Sequence, residues 1–515
     1  MRAEDLTARR SLPAAWRAVW AAAPDARVLL GAAEPRPVWC TAGELDERTA
    51  AAAARLRRLG LRPADRVVWS TQSSVPAVVA NVAALRAGLV VVPVNPAYTE
   101  REVSHIVRDV RPAAAVVDDP ERARRIAASA PLLVVSAELD LLADVPVRDG
   151  GTDAAAGDGA RDDPDPGAPA LIAYTSGTTG APKGAVLTHA NLLANSEAVA
   201  VTWRWGPDDV LVHALPIFHG HGLCVALYTT LLAGASAVLL PRFDVDAVLD
   251  ASAAHRATLF FGVPTMYHRM AHSARVGELS RLRLAVSGSA ALSAGLHGRI
   301  LDAAGTSVLE RYGTTETLMA TSNPYDGERR PGTVGFPFPG VEVRVDEALD
   351  APRTRTGDPE AGVDRGGPGG DILVRGPAVF AGYWERPAAT ADSFTAGWFR
   401  TGDLGTVDDG YVRILGRSTE LIVSGGYNVY PAEVEDVLLG HPSVGEVAVT
   451  GTASDEWGEV VTAWVVAEGG AERDAPALLA YAASRLAPYK RPRLVRFVDV
   501  LPRNSMGKVE RSQLR

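Results

Sequence analysis

Segments with helical periodicity alternate with short runs of β-branched residues over roughly the first quarter of the chain. The run DRVVWS, for example, precedes the helical pattern VPAVVANVAALRAG, which is followed by the apolar run LVVVPVN. A strand–helix–strand alternation needs crossover connections, which favour parallel strands with helices on both faces of the sheet. The pattern therefore predicts an α/β protein whose strands are buried on both sides.

The length of the chain predicts more than one domain, because its 515 residues exceed what a single hydrophobic core usually organises. Short strands such as ILVRG and GYVRILGR indicate a β-rich subdomain, and near Arg417 the pattern changes to a small α+β unit. We predict a large N-terminal domain over residues 1–416 and a small C-terminal domain over residues 417–515. Two stretches rich in Gly, Asp and Pro, one from Arg148 and one after Val345, are predicted loops, and the first is expected to be a mobile surface linker.

Composition excludes several functional classes. The net charge is −9, with acidic and basic residues well mixed, which argues against a nucleic-acid-binding or polybasic membrane-binding surface. The longest apolar stretches fall short of the ~20 residues that span a bilayer. The two cysteines, Cys40 and Cys224, are far apart and fit a reducing compartment. We expect a cytoplasmic monomer or homodimer that acts on a small molecule.

The segment YTSGTTGAPKG, from Tyr174, is dense in glycine and hydroxyl groups and contains one lysine. Glycines let backbone N–H groups converge on an anion, hydroxyls add donors, and lysine adds a point charge. The segment lacks the Gly-Lys-Ser/Thr sequence of a Walker A loop. It is predicted to be a phosphate-binding loop whose candidate ligands are Thr175, Ser176, Gly177, Thr178, Thr179, Gly180 and Lys183.

Further motifs follow in a fixed order: RYGTTET from Arg311, TGDLG from Thr401, LGRSTELIVSGGYNVYPAEVE from Leu415 and PRNSMGK from Pro502. Together with the glycine-rich loop, they resemble the motifs of the adenylate-forming acyl-CoA synthetase superfamily, and they span most of the chain. The resemblance implies ATP, Mg²⁺ and coenzyme A as cofactors or co-substrates. It also implies layered α/β sheets in the large domain and a small C-terminal domain that rotates between two half-reactions.

The same resemblance implies roles for individual residues. Glu316 corresponds to the Mg²⁺ ligand, which suits a hard cation that bridges phosphate oxygens. Asp403 would accept the ribose hydroxyls, Arg417 would reach ribose or phosphate, and Tyr312 would stack on adenine. The full set expected around adenine and ribose is Ser289, Glu310, Tyr312, Gly313, Thr315, Asp403 and Arg417.

Lys508 resembles the catalytic lysine of adenylation. Its ammonium would bridge the attacking carboxylate and the α-phosphate as negative charge develops. After rotation, Gly425 and Gly426 would leave room for the pantetheine arm of coenzyme A. The hinge position corresponds to Thr419, where the family usually has Asp or Lys.

The predicted acyl pocket contains charged residues. His219 corresponds to a catalytic position beside the reacting carboxylate, and the expected acyl-binding residues are Arg269, Ser289, Arg311, Thr314 and His221. Two arginines near an acyl pocket are costly unless they meet an anion, and a second carboxylate on the substrate would supply one. The alternative is that each arginine pairs with an internal acid such as Glu310 or Glu316.

The strings FGVPTMYHR, SGSAAL and ERYGTTETLMATSNPYDGERRPGTVGFPFPGV resemble malonyl-CoA synthetases. That resemblance implies that Arg269, Ser289 and Arg311 bind the distal carboxylate of malonate. Thr314 stands where those enzymes tend to have Met, so a C2-substituted malonate such as methylmalonate is expected to fit. Three alternatives stay open: a medium-chain or aryl acid, an acceptor other than coenzyme A, and a scaffold or ATP-binding regulator without catalysis.

Overall fold

The computed structural model describes residues 10–34, 37–130, 132–140, 162–175, 182–347, 369–424, 427–454, 457–504 and 507–514. Most of the two predicted loops, one from Arg148 and one after Val345, lies outside these ranges, since residues 141–161 and 348–368 are not described. Within the described ranges, no helix is both long enough and apolar enough to cross a membrane.

Helices and strands alternate along the first half of the chain. The first elements are α1 (Leu12–Ala22), β1 (Arg27–Gly31), β2 (Cys40–Thr41), α2 (Ala42–Arg58), β3 (Arg66–Ser70), α3 (Val75–Arg86), β4 (Val90–Pro93), α4 (Glu100–Val110), β5 (Ala114–Val117), α5 (Pro120–Ser129), β6 (Leu133–Val135), β7 (Pro169–Thr175) and β8 (Lys183–Thr188). Next come α6 (His189–Thr202), β9 (Val210–His213), α7 (Tyr228–Ala233), β10 (Ser236–Leu239), α8 (Val245–His255), β11 (Leu259–Gly262), α9 (Pro264–Ala271), β12 (Leu284–Ser287), α10 (Ala294–Ala304) and β13 (Leu309–Tyr312).

Strands dominate the next part of the chain: β14 (Thr321–Ser322), β15 (Phe336–Pro337), β16 (Glu342–Glu347), β17 (Gly370–Arg375), β18 (Gly382–Tyr383), α11 (Pro387–Asp392), β19 (Phe394–Thr395), β20 (Trp398–Asp408) and β21 (Tyr411–Arg417). The C-terminal part contains β22 (Ile422–Ser424), β23 (Tyr427–Val429), α12 (Pro431–Leu439), β24 (Val444–Ser454), β25 (Gly458–Ala467), α13 (Ala475–Ala483) and β26 (Leu494–Phe497). This order confirms the α/β class and the smaller C-terminal α+β unit.

Two large sheets form the body of the protein. One has the strand order β15-β14-β13-β12-β11-β9-β10-β1-β2, and the other has the order β18-β8-β7-β4-β3-β5-β6. The central strands of both sheets are parallel, as predicted, but β14, β15, β2, β8 and β18 join antiparallel. The sheets are therefore mixed. Short connections return β2, β8, β14 and β15 beside the strand that precedes each in its sheet, whereas β18 pairs with the distant β8.

The main core lies between these two sheets. Its largest apolar cluster includes Leu29 and Leu239 of one sheet, Val67 and Val91 of the other, and side chains of α1, α2 and α3. Nearly every residue of α3 is buried. A helix that is apolar on all faces fits such an inner layer.

Helix starts follow local sequence chemistry. Thr41 begins α2 and Thr188 begins α6, and each hydroxyl accepts a hydrogen bond from the backbone N–H three residues later. The side chains of Glu44 and Asn191 bond back to the N-cap backbone, which completes a capping box in each helix.

The end of the first predicted linker is anchored rather than mobile. Asp162 forms ion pairs with Arg57 and Arg86, and the Arg86 side chain is only 2% exposed. Asp163 accepts a hydrogen bond from the Ser11 hydroxyl at 2.5 Å. Composition alone could not reveal these contacts, because the partners lie more than 70 residues away in the sequence.

A smaller sheet, β16-β17-β20-β19 with β21 beside β20, forms the β-rich subdomain, and β23-β22-β25-β24 with β26 beside β25 forms the C-terminal sheet. Helix α12 contacts β21 across the predicted domain boundary. Arg511 pairs with Glu420, just after the predicted hinge, and with Glu435 of α12. His272 of α9 lies 3.7 Å from Glu468.

Candidate active site

Several predicted site residues lie at one edge of the nine-stranded sheet. Strands β9, β11, β12 and β13 run parallel, so their carboxyl ends meet at this edge. His219 and His221 follow β9, Ser289 follows β12, and Arg311 and Tyr312 end β13. Ligands commonly bind at the carboxyl ends of strands in α/β sheets.

Arg311 is a buried cation with an unpaired guanidinium. The residue is 5% exposed, and its Nε and Nη2 atoms have no hydrogen-bond partner among the described residues. Burial lowers its pKa to about 9. Gly288 makes room for it, because a Cβ there would lie 2.3 Å from the Arg311 Cζ. A buried charge without a partner is costly, so this group is suited to meet an anion that enters the site.

The internal acids named as alternative partners are used elsewhere. The Glu310 carboxylate accepts from the backbone N–H groups of Leu292 at 3.0 Å and Gly332 at 3.1 Å. The Glu316 Oε1 accepts from the Tyr383 hydroxyl at 2.9 Å. Neither contact involves Arg311, and the structure therefore disfavours the interpretation in which that arginine is held by an internal carboxylate.

Two histidines and a serine lie beside Arg311. The His221 N–H donates to the Nδ1 of His219 at 3.3 Å, and the Ser289 hydroxyl is 3.4 Å from the Nδ1 of His221. Burial is the main cause that lowers the pKa of His219 to about 4 and the pKa of His221 well below its usual range, and the charge of Arg311 adds to the effect. Both imidazoles are therefore neutral at neutral pH, which leaves Arg311 as the positive group of this cluster.

The backbone of this cluster is unusual in two places. His221 begins a π-helical segment, His221–Leu227, and such segments often occur at functional sites. Ser289 has a φ of +69°, a left-handed conformation that is costly for a residue other than glycine. Both features indicate that the surrounding fold fixes the positions of these side chains.

Arg269 lies on α9, and its convergence with Arg311 on one carboxylate stays a prediction. Arg269 is exposed on α9, with its Cζ 5.1 Å from the centre of the Phe243 ring. The adjacent Tyr267 faces the core and bonds the backbone carbonyl of Val286. The motif FGVPTMYHR, which ends at Arg269, could not show which face of the helix this arginine occupies.

Glu310 was expected to bind adenine or ribose, and in this structure its side chain holds the backbone of two loops. Both of its carboxylate oxygens accept backbone N–H groups, and its backbone carbonyl accepts from the N–H of Asn323 at 2.9 Å. Side chains alternate along a strand, so Glu310 and Arg311 point to opposite faces of β13. Glu310 therefore holds two loops to the sheet.

A Glu310→Gln variant tests this structural role. Burial raises the pKa of Glu310 from 4.5 to about 7, so its contribution to stability is full below pH 4.5 and is lost as the pH rises through 7. Relative to the variant, the wild type should lose at most about 3 kcal/mol of unfolding free energy between pH 4.5 and 8. Denaturant titrations across this range measure the difference. An increased KM for ATP in the variant, without a change in this pH dependence, would restore the nucleotide-binding role.

Asp403 lies at the centre of the predicted ribose site. Its Oδ2 accepts from the Tyr312 hydroxyl at 2.5 Å, and its Oδ1 is 2.8 Å from the Nε of Arg417. Burial raises the pKa of this carboxyl, although Arg417 and the Tyr312 hydroxyl act in the opposite direction. The structure thus brings together three predicted nucleotide-binding side chains from β13, β20 and β21.

Gly313 and Thr315 follow Tyr312 in the same loop. A Cβ at Gly313 would lie 1.6 Å from the Leu318 carbonyl oxygen, so only glycine allows this close turn. Thr314 is held within the loop, since its N–H donates to the Thr317 hydroxyl at 3.0 Å. Thr314 and Thr315 are both partly exposed, and their roles stay predictions.

The predicted phosphate loop connects β7 and β8, but Ser176, Gly177, Thr178, Thr179 and Gly180 lie outside the described residues. At its two ends, Thr175 and Lys183 are paired across the antiparallel hairpin. The Lys183 ammonium lies 5.3 Å from the centre of the Tyr383 ring, whose hydroxyl donates to Glu316. Tyr383 thus contacts two predicted phosphate-site residues, and no motif in the sequence analysis identified it.

The donor set around Glu316 fits Mg²⁺ held jointly with a nucleotide. Among the described residues, no group of three or more His, Cys, Asp or Glu side chains could hold a metal ion. Mg²⁺ is often bound through only one or two carboxylates together with substrate phosphates and water. One carboxylate from Glu316 and a lysine at the adjacent hairpin match that mode of binding.

Lys508 lies next to the predicted nucleotide site. Partial burial is the main cause that lowers the pKa of its ammonium, and the charge of Arg417 adds to the effect. The carboxylates of Glu420 and Asp403 act in the opposite direction. The backbone of Lys508 is held by Asn504, which accepts its N–H at 3.0 Å and donates to its carbonyl at 2.9 Å. Its side chain is nevertheless exposed to solvent along part of its length.

Two further predictions concern the C-terminal domain. Thr419 is exposed in a short 3₁₀ turn, Ser418–Glu420, directly after β21. Gly425 and Gly426 lie outside the described residues, between β22 and β23. The hinge and the coenzyme A contacts stay predictions.

Comparison with known proteins adds to this geometry. The model of the AMP-binding enzyme family matches residues 16–384, and that of the AMP-binding enzyme C-terminal domain matches residues 433–508. The predicted domain boundary falls between these ranges. Feruloyl-CoA synthase of an Amycolatopsis species is 38% identical over 490 residues, which cover 92% of this chain and 93% of that protein. The mitochondrial malonate–CoA ligase ACSF3 of Mus musculus is 41% identical over 375 residues, which cover 67% of this chain and 64% of that protein.

Solved structures are similar over nearly the whole chain. ATP-bound MatB from Rhodopseudomonas palustris is 41% identical, with a TM-score of 0.86 and 98% of each chain covered. A malonyl-CoA ligase product complex with methylmalonyl-CoA and AMP is 42% identical, with a TM-score of 0.63, 93% of this chain and 98% of that one covered. The acids named for these relatives differ, so similarity alone does not decide the acid.

Proposed function

This chain belongs to the AMP-binding enzyme family and is an acyl-CoA ligase that acts through adenylation, and we propose that its acid is malonate or a C2-substituted malonate such as methylmalonate. ATP and coenzyme A are substrates of the family. In the proposed reaction a carboxylate oxygen attacks the α-phosphorus of ATP, and pyrophosphate leaves. The thiol sulfur of coenzyme A then attacks the acyl carbon, AMP leaves, and the thiol proton passes to solvent.

The observation that carries the proposed acid is the unpaired, buried guanidinium of Arg311. A substrate carboxylate at this position would form charge-assisted hydrogen bonds and offset the cost of the buried charge. An apolar acid would leave that charge unpaired, so the site would discriminate strongly against it. The neutral His219 and His221 beside Arg311 can exchange hydrogen bonds with the same carboxylate without adding charge.

The other predicted residues have complementary roles in this proposal. Lys183 and the glycine-rich loop bind the β- and γ-phosphates, and Asp403 with Tyr312 and Arg417 positions the nucleoside. Glu316 holds Mg²⁺, which supplies positive charge that offsets the charge of the phosphates. Lys508 stabilises the negative charge that develops as the carboxylate reaches the α-phosphorus.

A rotation of the C-terminal domain about Thr419 would separate the two half-reactions. The proximity of Lys508 to Asp403 and Arg417 suits the adenylation step. The higher TM-score against the ATP-bound structure than against the product complex with methylmalonyl-CoA and AMP supports this assignment. After rotation, Gly425 and Gly426 would line the path of the pantetheine arm.

Pyrophosphate release measured with a panel of acids tests the proposal. The panel contains malonate, methylmalonate, butyrate, benzoate and ferulate, each with and without coenzyme A. We expect the two diacids to give the highest kcat/KM, and we expect sustained turnover to require coenzyme A. Ferulate is a necessary competitor because of the feruloyl-CoA synthase relative. Higher activity with butyrate, benzoate or ferulate would reject the diacid assignment, while diacid turnover that does not need coenzyme A would indicate a different acceptor.

Replacing Thr314 with Met should narrow the range of accepted malonates. Thr314 follows β13 three residues after Arg311 and carries a short side chain. The longer thioether would occupy space near the proposed acyl group, and one displaced methylene is worth about 10-fold or more in specificity. Turnover of methylmalonate and larger 2-alkylmalonates should therefore fall about 10-fold relative to malonate, which serves as the internal control. Equal substrate profiles in both proteins would contradict this role.

A further inference from the structure

Tyr383 connects two groups that the proposed function assigns to the phosphates of ATP. It ends β18, which pairs antiparallel with β8, the strand that begins at Lys183. Its hydroxyl donates to the Oε1 of Glu316 at 2.9 Å. Its ring centre lies 5.3 Å from the Lys183 ammonium, within the range of a cation–π contact. One side chain thus contacts both the carboxylate and the lysine.

The ring of Tyr383 is fixed by its own neighbours. It packs edge-on against Phe380 with 4.8 Å between ring centres, and its N–H donates to the Thr390 hydroxyl at 2.9 Å. The Phe380 N–H in turn donates to the backbone carbonyl of Glu316 at 2.7 Å. The segment 380–383 therefore holds Glu316 through both its backbone and its side chain.

This arrangement suits an indirect role in metal binding. The hydroxyl bonds one carboxylate oxygen of Glu316 and fixes the plane of the group, and the other oxygen, Oε2, would bind the cation. Residues that orient a metal-binding carboxylate commonly change metal affinity 10- to 100-fold when they are replaced. The ring adds a separate contact that limits where the Lys183 ammonium can lie.

We propose that Tyr383 is a positioning residue that orients Glu316 toward Mg²⁺ and holds Lys183 toward the phosphates of the bound nucleotide. The proposal rests on the proposed adenylation site. The hydroxyl orients the carboxylate that binds the metal, and the ring positions the lysine. Two substitutions separate these contributions: Tyr383→Phe removes only the hydroxyl, and Tyr383→Leu removes the hydroxyl and the ring.

The first readout is direct binding, which does not depend on turnover. Mn²⁺ binding to the full-length protein, in the presence of a non-hydrolysable ATP analogue, is followed by electron paramagnetic resonance. We expect Tyr383→Phe to weaken Mn²⁺ binding about 10-fold. Tyr411→Phe is the matched control, because the Tyr411 hydroxyl donates to the Glu328 carbonyl at 2.8 Å and its loss should leave Mn²⁺ binding unchanged. Unchanged Mn²⁺ binding in Tyr383→Phe would overturn the metal part of the proposal.

The second readout is acid-dependent ATP–pyrophosphate exchange. Tyr383→Phe should raise the Mg²⁺ concentration for half-maximal exchange about 10-fold, with near wild-type kcat at saturating Mg²⁺. Tyr383→Leu should in addition raise the KM for ATP at saturating Mg²⁺, and an ATP KM equal to that of Tyr383→Phe would overturn the lysine part. Absence of exchange by the wild type with every acid tested would reject the proposed function, whereas the Mn²⁺ measurement would still decide the role of Tyr383.

Discussion

Replacing Lys508 with alanine should lower the rate of acyl-adenylate formation at least 10²- to 10³-fold, which is about the effect of removing one group that stabilises developing charge. Lys508 lies close enough to Asp403 and Arg417 to interact with both electrostatically. In the proposed mechanism its ammonium acts only in the first half-reaction, because rotation of the domain withdraws it before thiol transfer. The loss should therefore appear in ATP–pyrophosphate exchange and should be much smaller in the reaction of synthetic malonyl-adenylate with coenzyme A.

Lys490→Ala is the matched control for this prediction. Lys490 belongs to the same C-terminal part of the chain and pairs with Glu433 at 2.8 Å. Removing this partly exposed pair should cost about 1 kcal/mol of stability or less and should leave both half-reactions near wild-type rates. An equal loss of both half-reactions in Lys508→Ala would show that Lys508 supports the fold or both steps and would contradict its assignment to adenylation.

Arg311→Met should lower kcat/KM for malonate roughly 10²- to 10³-fold and should not destabilise the protein. Removal of one partner from a buried charge pair costs about 2–5 kcal/mol in binding, which is the source of the first effect. The second effect follows because no described residue pairs with the Nε and Nη2 of Arg311, and a buried charge without a partner is itself costly to the fold. Kinetics with malonate and butyrate, together with thermal unfolding, measure both quantities, and the preference should shift toward butyrate.

Arg283→Met is the contrasting variant, because Arg283 has an internal ion-pair partner. Arg283 pairs with Asp209 through two hydrogen bonds, at 2.6 Å and 2.5 Å, so its loss should destabilise the fold by about 3 kcal/mol without changing the preference among acids. A lower unfolding midpoint in Arg311→Met, with an unchanged ratio of malonate to butyrate turnover, would mean that Arg311 is a structural residue. The Arg269→Met variant, measured beside it, decides whether that exposed arginine also reaches the substrate.

The fold was largely predictable because local patterns decide local structure. Apolar runs and helical periodicity located α3, β3 and β4 within a few residues, and the parallel pairing of β3 with β4 followed from the connection between them. The antiparallel edges of the sheets were not predicted. They depend on which distant strand is free to pair, as when Gly382 pairs with Val186 across almost 200 residues of sequence.

In the candidate site, too, some contacts were predicted from the sequence and others were not. The positions of Tyr312, Asp403 and Arg417 within short motifs were enough to predict that they lie together, and the structure joins them by direct contacts. The backbone contacts of Glu310 were not predicted, because a motif names a residue without showing which face of the strand it occupies. Tyr383 was missed because its partner Glu316 is 67 residues away.

By itself, the sequence determined the order of helices and strands, the glycine-rich loop and the motifs of an adenylating ligase, since these depend on residues close together in the chain. Only the tertiary structure decided which charged groups have internal partners. Glu310 is held by backbone N–H groups, Arg269 is exposed beside Phe243, and the buried Nε and Nη2 of Arg311 have no hydrogen-bond partner in the described part of the chain. The physical reason is that desolvation and pairing are properties of a three-dimensional neighbourhood, which strands and loops from distant parts of the chain assemble.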